Sequence, residues 1–173
     1  MNNSEFDDAY DDDAEDMDPI KRAVLEKPIS DLMTREPLVV DADATVVAAV
    51  NAMNENHIGC VLVQKDGELV GIFTERDGLR KVAFREGNRS WKVEAVMTRN
   101  PVTLPPNASV AYALNKMSVD GFRHIPVVNG LGKPIGVLSV KDIVDFLVEF
   151  FPKDVINLPH DPHLAFARDV NGG

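Results

Sequence analysis

Two short stretches of the chain present the same pair of polar groups at the same spacing. In residues 71–77 and again in residues 136–142, a glycine and two apolar residues are followed by a hydroxyl residue, two variable residues and an aspartate. The polar pairs are Thr74 with Asp77 and Ser139 with Asp142. Each pair combines a hydroxyl donor with a carboxylate that accepts several hydrogen bonds. The simplest interpretation is the capping box of a helix, and the alternative is a polar binding site that occurs twice.

The surroundings of these pairs repeat as well, which favours the second interpretation. Residues 32–37 match residues 96–101 at an offset of 64, and the offset becomes 65 after the turn at Asp66 and Gly67. The change arises because residues 129–132 contain one extra residue. An internal repeat of this length predicts two copies of one structural unit.

Each copy is predicted to contain strand, helix, strand, strand and helix. Apolar residues at helical spacing follow Thr45 and Ser109, and both residues can cap a helix. Apolar runs flank residues 65–68 and residues 129–134, which indicates a hairpin in each copy. The second copy is expected to begin with a strand at residues 102–104. A helix is expected from Thr74 towards Phe84, with its end near Gly87.

One copy of about 60 residues buries too little apolar surface to be stable by itself. The sequence therefore predicts an α+β fold in which two β-α-β-β-α repeats pack as a pseudo-symmetric pair with mixed sheets. No apolar run approaches 20 residues and the N-terminus has no apolar segment, so neither a membrane span nor a secretory signal is expected.

The charge of the chain is concentrated at one end. The net charge is −10, yet residues 1–18 contain nine acidic and no basic side chains, which leaves the remainder at −1. Residues 1–18 are predicted to be a disordered tail, either solubilising or an arm for a basic partner. Because the body is nearly neutral, nucleic-acid binding is not expected. With one cysteine, the chain is predicted to be cytoplasmic.

The residues that usually perform catalysis or bind metals do not form a recognised arrangement. The four histidines fall at no known metal or triad spacing, although His160 and His163 leave a loop metal site open as an alternative. Cys60 lies in an apolar run and is interpreted as a small core residue. No phosphate-binding glycine loop of the Walker type is present. The sequence therefore predicts no enzyme, no metal site and no required cofactor.

Taken together, the repeated motifs resemble a tandem pair of CBS domains, the module named after cystathionine beta-synthase. The resemblance extends over about residues 29–150 and depends on the two Met-Thr…Pro segments at residues 33–37 and 97–101, on residues 123–127, and on the two Gly-x-x-Thr/Ser-x-x-Asp stretches. It implies a first repeat at 29–87, a linker at 88–95, a second repeat at 96–150 and an irregular tail at 151–173. Trp91 in the linker is expected to pack onto a lobe.

The resemblance also implies two clefts that bind adenosine-type ligands. The ribose hydroxyls would be bound by Thr74, Asp77, Ser139 and Asp142, because a carboxylate accepts from both hydroxyls. The start of a helix beside each pair favours a phosphate. The adenine side would be formed by Thr34, Pro37, Leu38, Ile58, Thr98, Pro101, Val102 and Phe122.

Phosphate contacts are assigned to Arg123 and His124. The aligned residues of the first repeat are Gly59 and Cys60, so the cleft with Ser139 and Asp142 is expected to bind a charged nucleotide better. The alternatives are a surface charge for Arg123 and a half-buried, hydrogen-bonded ring for His124.

The function implied by this resemblance is that of a regulatory sensor. Its ligand would be ATP, ADP, AMP or S-adenosylmethionine, which the sequence does not distinguish because all share the adenosine half. A homodimer and an unlinked effector protein are the expected partners. The main alternative is a ligand-free module for dimerisation that docks on an enzyme or a transporter, and an enzyme with an unrecognised site is the third hypothesis.

Overall fold

A computed structural model of the chain describes residues 19–150. The predictions for residues 1–18 and 151–173, including the alternative metal site at His160 and His163, lie outside these residues.

The first half of the described chain contains three strands and three helices. It begins with α1 (Pro19–Glu26) and a 3-10 turn at Ile29–Leu32, and continues with β1 (Val39–Asp41), α2 (Val46–Glu55), β2 (Cys60–Lys65), β3 (Glu68–Thr74) and the short α3 (Glu75–Asp77). Thr45 caps α2 as expected, because its Oγ1 accepts a hydrogen bond from the Ala48 amide at 3.1 Å. The turn between β2 and β3 has positive φ at Asp66 and Gly67, as a tight right-twisted hairpin requires.

The helix after Thr74 begins where the sequence places it but changes its winding. The single α turn of α3 continues into a π-helical segment, Gly78–Val82, in which the Ala83 amide donates to the Gly78 carbonyl. The helical winding therefore ends before Phe84. Gly87 follows in a left-handed conformation, with φ of 73°.

The second half repeats the order of elements after two short 3-10 turns, Asn88–Ser90 and Val93–Ala95. It contains β4 (Thr98–Arg99), α4 (Val110–Asp120), β5 (His124–Val128), β6 (Pro134–Ser139) and α5 (Val140–Phe150). Ser109 caps α4 as predicted, accepting from the Tyr112 amide at 3.2 Å. Strands β5 and β6 form the expected antiparallel hairpin.

The predicted strand at residues 102–104 is wrong. Only Leu104 bridges to Val127 in that segment, whereas its counterpart β1 pairs with β2 over three residues. In the first half the Leu62 amide donates to the Leu38 carbonyl at 2.9 Å. The residue aligned with Leu62 is Pro126, which has no amide hydrogen to donate, so this pairing is interrupted.

Strand β4 instead joins the sheet of the first half. The order of that sheet is β1-β2-β3-β4, with β1 parallel to β2 and the other pairs antiparallel, while β5 and β6 form a separate two-stranded sheet. The predicted α+β class with mixed sheets is confirmed.

The two lobes of the structure exchange their leading segments. The first lobe comprises β1–β3, α2 and α3, and its core includes Val93 from the linker and Val96 and Met97 from the start of the second repeat. The second lobe comprises β5, β6, α4 and α5, and its core includes Ile29 and Leu32 from the start of the first repeat. Backbone hydrogen bonds fix the exchange, for example from the Val93 amide to the Ala44 carbonyl at 2.8 Å.

Two further contacts complete the core. Trp91 packs against the core of the first lobe, and its carbonyl accepts from the Val46 amide at 2.8 Å, which confirms its anchoring role. A small cluster of Cys60, Leu62 and Ile72 packs against Val137 of β6 and so joins the two sheets.

Candidate ligand-binding clefts

Both hydroxyl–aspartate pairs form capping boxes. The Asp77 carboxylate accepts from the Thr74 amide at 3.1 Å and from Thr74 Oγ1 at 2.8 Å, while the Asp77 amide donates back to Oγ1 at 3.2 Å. Asp142 accepts from the Ser139 amide at 2.7 Å and from Ser139 Oγ at 2.6 Å. The boxes hold each carboxylate in place with one oxygen, Oδ2, and both pairs also line clefts.

The first cleft lies beside Thr74 and Asp77 and has a volume of about 400 Å³. It is bounded by the end of β3, the start of α3, the segment after β4 and the start of β5. The site residues that the sequence predicts for it and that line it are Thr74, Asp77, Thr98, Pro101, Val102 and Phe122.

The second cleft lies beside Ser139 and Asp142 and has a volume of about 910 Å³. It is bounded by the end of β6, the start of α5, the segment before β1 and the residues between α2 and β2. The predicted residues that line it are Ser139, Asp142, Thr34, Pro37, Leu38 and Ile58. Both volumes lie within the range of small-molecule pockets.

Arg123 and His124 line both clefts, so the structure does not reserve them for the second cleft. They stand at the start of β5 in a wall that also contains Gly59 and Glu75. This wall is closely packed, because a Cβ on Gly59 would lie 3.3 Å from Glu75 Oε2 and 3.3 Å from His124 Nε2. Because both clefts contain them, the expectation that these two residues favour the cleft with Ser139 and Asp142 stays a prediction.

Burial lowers the pKa of His124, and the neighbouring Arg123 lowers it further, while Glu75 and Asp142 act in the opposite direction. The imidazole is therefore neutral at pH 7. In that state it can donate one N–H hydrogen bond to a phosphate but carries no positive charge. Arg123 is exposed.

The thiol of Cys60 lines the second cleft but is protonated. Burial raises its pKa to about 12, and the nearby carboxylates of Asp142 and Glu75 add to the effect. Its side chain is buried, which confirms the core role that the sequence indicates.

The two aspartates differ in what surrounds their second oxygen. Asp77 Oδ1 lies 2.7 Å from Lys81 Nζ and accepts from Thr98 Oγ1 at 3.3 Å. Asp142 Oδ1 has no hydrogen-bond partner within residues 19–150. Sequence reasoning missed Lys81, although its position one helical turn after Asp77 was a usable signal.

The charged residues around the two clefts are also unequal, and most were not predicted. Among the described residues, the first cleft is lined by four basic and two acidic side chains and the second by three basic and four acidic ones. The basic residues are Arg76, Arg80, Lys81 and Arg123 in the first cleft, and Arg35, Arg123 and Lys141 in the second. Arg76 is oriented by a 2.7 Å hydrogen bond to the Gly121 carbonyl.

Between residues 19 and 150, no group of three or more His, Cys, Asp and Glu side chains is arranged to hold a metal ion. Over that range, no helix has both the length and the apolar character needed to cross a membrane.

Comparison with known proteins gives consistent matches. The CBS domain family profile matches residues 29–83 and 93–149. The CBS domain-containing protein CBSX3 of Arabidopsis thaliana, described as mitochondrial, is 38% identical over 112 residues, which cover 61% of this chain and 54% of that protein. The chain thus spans about half the length of this relative.

Solved structures show the same architecture. An uncharacterized conserved protein from Pyrococcus horikoshii is 31% identical with a TM-score of 0.66, over 70% of this chain and 92% of that one. The CBS domain protein PAE2072 from Pyrobaculum aerophilum, solved in complex with AMP, is 28% identical with a TM-score of 0.62, over 67% of this chain and 89% of that one. Since both repeats match the profile and together make up more than half of the chain, the protein belongs to the CBS domain family.

Proposed function

We propose that this protein is a regulatory sensor that binds an adenosyl ligand in a cleft between its two CBS repeats. The proposed ligands are ATP, ADP, AMP and S-adenosylmethionine. The resemblance to PAE2072, a CBS protein solved with AMP, supports this class of ligand. Regulation rather than catalysis fits a family of binding modules and a buried, protonated Cys60.

The observation that carries the proposal is the state of Asp142. Its Oδ2 is held by the capping box of Ser139, while Oδ1 has no partner within residues 19–150. Asp142 is one of the residues that line the cleft of about 910 Å³. A fixed carboxylate of this kind is suited to accept hydrogen bonds from ribose hydroxyls. The Ser139 hydroxyl adds a second polar contact.

The other groups of the second cleft provide what the rest of the ligand needs. Pro37, Leu38 and Ile58 are half-buried apolar residues that would contact the faces of an adenine ring. Thr34 adds a polar group at that side. Arg123, with the neutral ring of His124, would contact a phosphate or a carboxylate of the ligand.

Thermal denaturation with added ligand tests the proposal. A ligand that binds only the folded protein stabilises it by about 2.7 kcal/mol at a hundredfold excess over its Kd. That corresponds to a rise of several degrees in Tm for a protein of this size. If none of the four ligands raises Tm, the ligand-free dimerisation module becomes the better explanation, and turnover assays would then address an enzyme.

The homodimer remains part of the proposal. Apolar helix positions such as Val46 and Met53 are buried in the protein's own core and are not available for an interface. Other apolar side chains are exposed, among them Leu79 at 61% and Tyr112 at 53% on helical segments and Phe84 at 90% in the turn that follows Val82. Light scattering should give twice the 19.0 kDa of one chain.

An unlinked effector and a cytoplasmic location complete the proposal. Affinity purification with and without the ligand would identify an effector whose binding depends on the ligand. Cell fractionation would establish the location.

A further inference from the structure

The carboxylate of Asp77 is saturated with donors from its own chain. An ionised carboxylate offers about four lone-pair sites. Oδ2 accepts from the Thr74 amide and the Thr74 hydroxyl, at 3.1 and 2.8 Å, and Oδ1 faces Lys81 Nζ at 2.7 Å and the Thr98 hydroxyl at 3.3 Å. All four sites are thus used within the protein, so Asp77 has none left for a ribose.

Lys81 is held in this position by more than one acceptor. Its ammonium group also donates to the Val96 carbonyl at 2.8 Å and lies 3.4 Å from the Met97 carbonyl. Three acceptors match the three donors of an ammonium group. The side chain of Asp77 is only 12% exposed, so moving Lys81 away would leave a nearly buried carboxylate without its counter-charge.

Strand pairing holds the other donor of Asp77 in place. Thr98 lies in β4, which pairs with β3 through Ile72 opposite Thr98 and Gly71 opposite Arg99. This pairing holds the backbone of Thr98 near Asp77, where its hydroxyl donates to Asp77 Oδ1. The first cleft also has less than half the volume of the second.

The second repeat lacks both of these donors. At the offset of 65 that relates Asp77 to Asp142, the residue aligned with Lys81 is Phe146, whose apolar side chain is buried in the core of the second lobe. Thr34 is aligned with Thr98, but within residues 19–150 it donates no hydrogen bond to Asp142. Asp142 therefore retains two acceptor sites on Oδ1, which equals the number of neighbouring hydroxyls on a ribose.

We propose that Lys81 is a specificity-determining residue that excludes ribose from the first cleft, so that each chain binds one adenosyl ligand, in the second cleft. The inference rests on the proposed function and narrows it to a single site. Lys81 acts through Asp77 rather than through a contact with the ligand.

Native mass spectrometry of the full-length protein counts ligands per chain directly. AMP and, separately, S-adenosylmethionine are the probes, with wild type, Asp142→Asn and Asp77→Asn compared. We expect one ligand per chain in the wild type and also in Asp77→Asn. In Asp142→Asn we expect the ligand to bind at least about tenfold more weakly, because a charged hydrogen-bond acceptor is lost.

Removing Lys81 should open the first cleft. In Lys81→Met, Asp77 Oδ1 loses its ion pair, and we expect a second ligand per chain that disappears again in the double variant Asp77→Asn/Lys81→Met. Lys116→Met is the matched control, because Lys116 also pairs with an aspartate four residues away, Asp120 at 2.9 Å, but lines neither cleft. This control should still bind one ligand.

Photolabelling of the wild type gives a second measurement that does not depend on how the Lys81 variants fold. An azido-adenosine probe should label peptides that contain residues 34–38 or 137–145 and spare those that contain 98–102. Three results would each overturn the inference and leave the proposed function intact. They are two ligands per wild-type chain, labelling at residues 98–102, and a folded Lys81→Met protein that still binds only one ligand. Failure of every variant to bind either probe would overturn both.

Discussion

The side chain of Met97 lies directly over Gly71 in the first lobe. A Cβ on residue 71 would fall well inside van der Waals contact with Met97 Sδ, and it would also lie 3.0 Å from the Thr98 carbonyl oxygen. The same arrangement recurs in the second lobe, where Met33 covers Gly136. Each methionine begins one repeat and packs on a strand of the other, so these contacts connect the exchanged segments to the sheets.

Replacement of Gly71 by alanine should destabilise the protein by about 1–3 kcal/mol, the usual cost of overpacking a well-packed core. The Cβ meets the backbone of β4, which is fixed by its pairing with β3. Urea denaturation measures the change in the free energy of unfolding. Gly136→Ala is the matched control, with a smaller expected effect because its close neighbours all belong to the half-exposed side chain of Met33. Equal losses in the two variants would contradict this account.

Cys60 should resist alkylation in the folded protein. Its side chain is buried and its pKa is raised to about 12, so the thiolate that reacts is scarce near pH 8. Iodoacetamide labelling followed by mass spectrometry should show rapid modification in denaturant and very slow modification without it. Similar labelling rates in the two conditions would show that the thiol is accessible.

His124 should make the protein less stable in mild acid. Burial, followed by the effect of Arg123, lowers its pKa below the value near 6.5 of the unfolded chain. In the window below 6.5 the unfolded state binds more protons than the folded state, so stability falls as the pH falls towards the folded pKa.

Urea denaturation at about pH 7.5 and pH 5.5 measures this effect, since the two values bracket the unfolded pKa. The loss of stability between them should be smaller in His124→Gln than in the wild type. His57→Gln, at an exposed histidine, serves as the control and should behave as the wild type does. An unchanged pH dependence in His124→Gln would exclude His124 as the source.

Deletion of residues 1–18 should leave cooperative melting intact. The segment carries nine of the 28 acidic residues and few apolar ones, so it offers little surface to bury. Calorimetry of the shortened chain should show a single transition with Tm close to that of the full-length protein. A broad or lost transition would mean that the segment contributes to the fold.

Most of the order of elements and both hydroxyl–aspartate pairs followed from the sequence, whereas the segment at residues 102–104 and most charged residues of the clefts did not. Thr45 and Ser109 fixed where two helices begin, and the repeated Thr74–Asp77 and Ser139–Asp142 pairs gave the positions at which strands lead into helices. These features depend on neighbours within a few residues, and such local preferences are encoded in a single chain.

Pairing between distant segments did not follow in the same way. The two repeats have matching apolar positions, so the apolar pattern is the same whether each leading segment packs on its own lobe or on the other. Only the structure shows that Val93 packs in the first lobe and Ile29 in the second. The loss of the strand at residues 102–104 depends on the position of Pro126 relative to that segment, which the sequence order alone does not supply.

By itself, the sequence determined that this protein has two CBS repeats with two hydroxyl–aspartate pairs, because repeats and capping patterns are properties of residue type and spacing. Only the tertiary structure decided that the two pairs are chemically different. Lys81 reaches Asp77 Oδ1 because a helical turn and the crossing segment at Val96 and Met97 bring three acceptors around its ammonium group. In the second repeat the residue aligned with Lys81 is Phe146, which has an apolar ring and cannot donate a hydrogen bond. Oδ1 of Asp142 therefore remains available as an acceptor, whereas Oδ1 of Asp77 is occupied.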